Sequence, residues 1–127
     1  MWSKSQVSIE FIIITGVVIL FFVGFLVILN INFEDARRQK ENTLMKDLAL
    51  TIRKEIGIAA HSSDGYHREF FIPPTISGRD YEVNITQNVL QISTNKNALT
   101  LALEEVNGTI QKGQNKIRKI GGNIQLN

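Results

Sequence analysis

The chain has 127 residues, of which 43% are hydrophobic and 20% charged, and its formal net charge is +2. This length allows one compact domain, or a small domain with an accessory segment, and excludes a large enzyme core. Cysteine is absent, which excludes a disulfide framework, a thiolate metal site and a cysteine nucleophile. The net charge is too small to indicate a nucleic-acid-binding protein. His61 and His67 alone cannot form a metal site, and we predict neither an enzyme nor a cofactor.

The first long element predicted along the chain is a membrane-spanning helix. Residues 11–33 form a run of 23 residues without a charged side chain. As a helix, this run would be about 34 Å long, which is enough to cross a hydrocarbon core of about 30 Å. A removable secretory signal would have an apolar region of only about 7–15 residues, followed by a small-residue cleavage site. We therefore expect the segment to remain in the mature chain.

A short polar motif stands directly before this apolar run. It follows a brief leader with one basic residue, Lys4, and consists of four residues: Gln6, Ser8, Glu10 and Phe11. The spacing of these residues, placed before a long apolar helix, resembles the class III signal peptide of archaeal type IV pilin-like proteins. The resemblance extends from Lys4 to about Leu29, and Ser5 stands where that family often has glycine.

The resemblance implies that a prepilin peptidase cuts between Ser5 and Gln6 and removes residues 1–5. The freed apolar helices would then leave the lipid and pack together as the core of a filament of identical subunits. Its assembly would require a pilus assembly ATPase and membrane platform proteins. Glu10 would be buried in that core, where a carboxylate needs a partner, and in the family this partner is a neighbouring subunit's amino terminus. Gln6, Ser8, Glu10 and Phe11 are therefore the predicted signal and assembly residues.

The orientation signals in the sequence disagree with one another. More basic residues follow the apolar run than precede it, so the positive-inside rule places the C-terminal part in the cytoplasm. Two N-glycosylation sequons, beginning at Asn84 and Asn107, have meaning only outside the cell. The signal resemblance implies an external head. We expect a precursor in the cytoplasmic membrane and a surface filament after assembly, and Asn84 and Asn107 are candidate glycosylation sites.

The helical pattern continues beyond the membrane over residues 34–61. After a polar stretch, apolar residues recur at spacings of three and four. These form one stripe: Leu44, Met45, Leu48, Ala49, Ile52, Ile56 and Ala59. Acidic and basic residues, Glu41 among them, alternate along the other face. We predict one helix from about Val7 to about Ala60, with Gly57 as a further candidate end, and a loop over residues 62–65.

From residue 68 onward the apolar period becomes two, which is typical of strands. Strands are expected near residues 69–72, 81–86, 90–93, 115–120 and 123–126, while residues 99–103 fit a strand or a helix. Asn107 and Gly108 form a typical two-residue hairpin signal. The predicted fold class is α+β, with a long N-terminal helix packed on a small antiparallel β head. Its predicted parts are a leader (1–5), a transmembrane or filament-core helix (6–33), an amphipathic continuation (34–61) and the head (62–127).

Three functions agree with this organisation. The first is a type IV pilin-like structural subunit that polymerises through its apolar helix into a surface filament for attachment. The second is a membrane-anchored pilin-like protein that binds solutes, or a minor assembly protein outside the main filament. The third is a single-pass membrane regulator that acts with another chain. The motif before the apolar run favours the first, with copies of the chain as its main partners and no nucleic acid.

Overall fold

The computed structural model describes residues 2–127, with side chains from Lys4 onward. One helix, α1 (Trp2–His61), precedes seven strands in this part of the chain. They are β1 (His67–Ile72), β2 (Glu82–Thr86), β3 (Val89–Ser93), β4 (Ala98–Ala102), β5 (Val106–Gly108), β6 (Gly113–Ile120) and β7 (Asn123–Leu126). The predicted α+β fold class is confirmed. Met1, the first residue of the predicted leader, lies outside the described residues.

The chain divides into two compact units, Met1–Gln39 and Lys40–Asn127. We call the first the N-terminal unit and the second the head unit. The N-terminal unit is helical throughout its described residues. The head unit contains residues 40–61 of α1 together with all seven strands. The end of α1 therefore belongs to the same compact body as the sheets.

The apolar stripe of α1 is buried in the head unit, as its spacing predicts. Ile52, Ile56 and Ala59 are fully buried, and Met45, Leu48 and Ala49 are at most 9% exposed. Together with apolar side chains of the strands they form one hydrophobic cluster. Leu44 does not follow the prediction, because it is 37% exposed. A helix turns by about 100° per residue, so with Met45 facing the core its neighbour lies at the edge of the stripe.

The C-terminal end of α1 is fixed by a lysine from a distant strand. The ammonium group of Lys119, in β6, donates hydrogen bonds to the carbonyl oxygens of Ala60 and Ser62, both at 2.7 Å. The last carbonyls of a helix lack partners within the helix, and a positive charge there also interacts favourably with the helix dipole. The helix therefore continues past Gly57 to His61, and the predicted loop over residues 62–65 follows it.

The strands form two sheets rather than one. The larger has the order β1-β6-β7-β5, and the smaller is the antiparallel meander β2-β3-β4. Within the larger sheet β5 pairs with β7 in parallel, so the prediction of a wholly antiparallel head is wrong for this pair. The run of residues 99–103, for which a strand and a helix were both open, lies in strand β4 up to Ala102.

The two glycine-containing turn signals have different outcomes. Gly121 and Gly122 both have positive φ and join β6 to β7, a conformation that suits a tight antiparallel hairpin. Asn107 and Gly108 do not form the predicted hairpin turn, because they lie within β5. Gly108 has φ +110°, and an added Cβ would stand 2.1 Å from the carbonyl oxygen of Leu126 in β7. This glycine thus serves the close approach of two parallel strands.

Candidate membrane and assembly site

The N-terminal unit exposes an unusual amount of apolar surface. Nineteen large apolar side chains between Val7 and Phe33 are each between 48% and 72% exposed, and they occupy all sides of the helix. Water-soluble monomers rarely expose contiguous apolar patches of more than a few hundred Å². By length and composition this helix could cross a membrane. The surface of residues 7–33 is therefore the first candidate functional site.

The predicted signal residues all lie on this part of α1 with exposed side chains: Ser5, Gln6, Ser8, Glu10 and Phe11. Gln6 and Glu10 are four positions apart, so they share one face and are separated by about 6 Å along the axis. Ser8 lies about 200° around the helix from each of them. The helix thus brings together the predicted new amino terminus and the predicted buried carboxylate, and it turns Ser8 to the other side.

Charge is absent from the apolar run and returns immediately after it. Within the described residues Glu10 forms no ion pair. Past the run, the carboxylate of Glu34 lies 3.7 Å from the guanidinium of Arg37, and both side chains are exposed. An exposed pair of this kind is typical of a helix surface in water. The polar boundary of the candidate membrane segment is therefore near Glu34.

The two sequon asparagines lie on the strands of the head unit. Asn84 is in β2 and Asn107 is in β5, and both residues are exposed. They belong to different sheets. Each side chain is therefore accessible for modification, and the two sites are separate.

A buried carboxylate, that of Glu41, joins α1 to the turn between β3 and β4 of the small sheet. The charge pattern of the sequence places this residue on the exposed face of the helix instead. Glu41 is only 4% exposed. Its Oε1 accepts a hydrogen bond of 2.7 Å from the hydroxyl of Thr94, and its Oε2 lies 3.5 Å from Nη1 of Arg79. A buried charge is tolerated when it is paired and hydrogen-bonded. Glu41 therefore fixes the turn between β3 and β4 against the helix, which no periodicity in the sequence indicates.

A second buried carboxylate faces the larger sheet. Glu55 is 8% exposed, and its Oε2 lies 3.4 Å from Nε of Arg68 in β1. That oxygen accepts no hydrogen bond within the described residues. Besides its apolar stripe, α1 therefore contacts β1 of the larger sheet through Glu55 and the turn between β3 and β4 through Glu41.

One surface cleft of the head unit is lined mainly by polar side chains. It has a volume of about 730 Å³ and is lined by residues 79–82 and 93–96. Tyr81 lies in its wall, with the hydroxyl donating a hydrogen bond of 2.5 Å to the carbonyl oxygen of Pro73. The ammonium of Lys112 lies 4.8 Å from the centre of the Tyr81 ring and contacts the carboxylate of Asp80. This contact lowers the pKa of Asp80.

The ionisation of Tyr81 provides a test of how firmly the cleft wall is packed. Burial, followed by the charge of Asp80, raises the pKa of Tyr81 from 10.0 to about 12. The unfolded chain therefore loses this proton at a lower pH than the folded chain. The contribution of Tyr81 to the free energy of unfolding should therefore be fully present below about pH 10 and should be lost as the pH rises to about 12.

Urea denaturation at a series of alkaline pH values measures this dependence. Tyr81→Phe should be less stable at neutral pH, because the bond to Pro73 is lost, and its stability should fall less steeply above about pH 10. An equal slope in the two proteins would contradict the assigned shift.

Comparison with protein-family models, curated proteins and solved structures finds no match to this chain. Among the described residues, no group of three or more His, Asp or Glu side chains could hold a metal ion. The functional interpretation therefore depends on the apolar helix and on the residues directly before it.

Proposed function

We propose that this chain is a type IV pilin-like structural subunit that polymerises through its N-terminal helix into a surface filament for attachment. The observation that carries the proposal is the exposed, uncharged surface of residues 11–33, preceded directly by Glu10. Such a surface needs an apolar environment on every side. Lipid supplies that environment for the precursor, and neighbouring helices supply it in the filament.

The position of Glu10 gives this assembly its polar contact. Cleavage before Gln6 creates an amino group one helical turn from Glu10, on the same face of α1. In a lipid-free core a carboxylate without a partner is costly, so pairing with such an amino group on a neighbouring helix favours one axial position over others. The precursor is proposed to lie in the cytoplasmic membrane with the head unit outside, where Asn84 and Asn107 are glycosylation acceptors.

The mass of the mature protein tests the first step of this proposal. Native protein from cells should begin at Gln6, because the leader of residues 1–5 is removed while the apolar helix is retained. Intact-protein and N-terminal peptide mass spectrometry measure this directly. A mature chain that begins at Met1, or beyond the apolar run, would exclude the pilin-like function.

Replacing Glu10 tests the second step. Glu10→Gln should leave membrane insertion and leader removal intact and should reduce the yield of sheared filaments by about tenfold or more, as expected for losing a buried charge pair. Glu34→Gln is the matched control, because Glu34 is an exposed acid beyond the apolar run, and it should assemble normally. If both variants assemble like the wild type, the pairing role of Glu10 is wrong.

A further inference from the structure

Strand β4 is an unprotected edge of the small sheet. It is hydrogen-bonded to β3 on one side only, and its sequence from Ala98 to Ala102 has no charged residue and no proline. Natural proteins usually protect such edges with charges, prolines, bulges or very short strands. The other three edge strands have some protection: β1 contains Arg68 and Glu69, β2 contains Glu82, and β5 has three residues.

The hydrogen bonds beside β4 show which of its backbone groups are free. The amide of Leu103 donates to the carbonyl of Asn88, and the amide of Thr94 donates to the carbonyl of Asn97. Both pairs continue the register between β3 and β4. Because bonded residues alternate along an antiparallel ladder, the odd-numbered residues of β4 bond to β3. The amides and carbonyls of the remaining three point away from it: Ala98, Thr100 and Ala102.

Opposite charges flank this free edge symmetrically. Lys96 lies four residues before Thr100, and Glu104 lies four residues after it. Both side chains are exposed, and neither forms an ion pair with any described residue. Both residues lie in bends just outside β4, so a two-fold axis through Thr100 would bring each Lys96 near the Glu104 of a second copy at the ends of the paired strands. Opposite charges at the two ends of the pair favour this register over others.

We propose that β4 pairs with β4 of a second copy of this chain, antiparallel and centred on Thr100. In this register Thr100 faces Thr100, and Ala98 faces Ala102 of the second copy. The free amides and carbonyls of all three positions then bond across the axis, since each faces another outward-pointing residue. The two three-stranded sheets become one six-stranded sheet, and the small side chains of the edge leave no steric obstacle between the strands.

This contact differs in kind from polymerisation through α1. A two-fold contact closes on two copies and does not propagate along a filament. It would therefore join head units of two filaments, or of two membrane-anchored subunits. The proposal does not depend on the filament function, because it uses only residues of the small sheet. A chain that remains an unpolymerised membrane protein would still form the β4 pair.

Cysteine cross-linking tests the proposed register, since the wild-type chain contains no cysteine. In the full chain in detergent micelles, Thr100→Cys should form a covalent dimer, because facing hydrogen-bonded residues lie about 5.5 Å apart between Cα atoms, within disulfide range. Gln91→Cys is the matched control. Gln91 faces Thr100 from β3 and is also exposed, but the two copies of Gln91 would lie about 15 Å apart.

Charge reversal tests whether the dimer uses the proposed ends of β4. In the Thr100→Cys background, Lys96→Glu should slow cross-linking about tenfold at low ionic strength, because like charges then face each other twice. Adding Glu104→Lys should restore the rate to within about twofold, since both pairs are again opposite in sign.

Three results would overturn the proposal. One is equal cross-linking of Thr100→Cys and Gln91→Cys, and another is failure of the double reversal to restore the rate. The third is a Thr100→Cys adduct formed in cells mainly with a different protein, which would assign this edge to another partner.

Discussion

Ile52→Asp should unfold the head unit. Ile52 is fully buried, at the centre of the stripe through which α1 contacts the strands. An aspartate there would place an unpaired charge in the hydrophobic cluster and would remove the packing of an isoleucine. We expect the free energy of unfolding to fall by about 4 kcal/mol or more, which is most of the stability of a small domain. Urea denaturation of a fragment beginning at Glu34, followed by circular dichroism, measures this loss.

Leu50→Asp is the matched control for that experiment. Leu50 lies two residues away on the same helix but is 45% exposed, so it faces away from the cluster. The same substitution should lower the free energy of unfolding by only about 1 kcal/mol or less, mainly because aspartate has a lower helix propensity than leucine and because a small apolar contact is lost. If Ile52→Asp were tolerated as well as Leu50→Asp, or if a fragment beginning after Ser62 were equally soluble and cooperative, α1 would not complete the core.

The extent and the buried face of α1 could be predicted because both depend on local periodicity. A run of 23 uncharged residues, followed by apolar residues at spacings of three and four, fits no regular structure other than a long helix. Within the apolar stripe, only Leu44 was assigned to the wrong environment. The precise end of the helix could not be predicted from local periodicity, because it depends on Lys119, which is 59 residues away from Ala60 in sequence.

The arrangement of the strands was harder to predict because pairing is not local. Period-two alternation locates strands such as β2, β3 and β7, but it does not show which strands are neighbours. Asn107 and Gly108 have the sequence of a hairpin turn, yet they lie within β5, which pairs in parallel with the distant strand β7. The two-sheet arrangement and the parallel pair follow from contacts between segments that are distant in the chain.

The buried acids of α1 were missed for a related reason. On the helix surface Glu41 belongs to an ordinary alternation of acidic and basic residues, which is typical of a solvated face. Its burial depends on Thr94, which is 53 residues away, and on Arg79. The signal residues before the apolar run differ from these acids, because their pattern can be recognised in the sequence. Their proposed partners, however, belong to other molecules.

The close approach of β5 and β7 predicts a large effect of Gly108→Ala. The new Cβ would lie 2.1 Å from the carbonyl oxygen of Leu126, and backbone rather than a flexible side chain would have to move. The positive φ of Gly108 adds strain for any residue with a Cβ. We expect β5 to separate from β7. The free energy of unfolding should then fall by about 3 kcal/mol or more, because the buried contacts of Val106 and Leu126 depend on this pairing.

Gly113→Ala separates the two causes of this loss. Gly113 also has a positive φ, +92°, but a Cβ at this position would meet nothing within 4 Å. It should therefore show the backbone strain alone, about 1–2 kcal/mol, with β6 still paired to its neighbours. Urea denaturation of the two variants gives the difference in stability, and amide hydrogen exchange in β7 shows which strand has separated. The contrary result would be a Gly108→Ala variant that is no less stable than Gly113→Ala and whose β7 amides stay protected from hydrogen exchange. In that case steric contact with Leu126 does not limit this position, and the parallel pair tolerates a wider spacing than the structure implies.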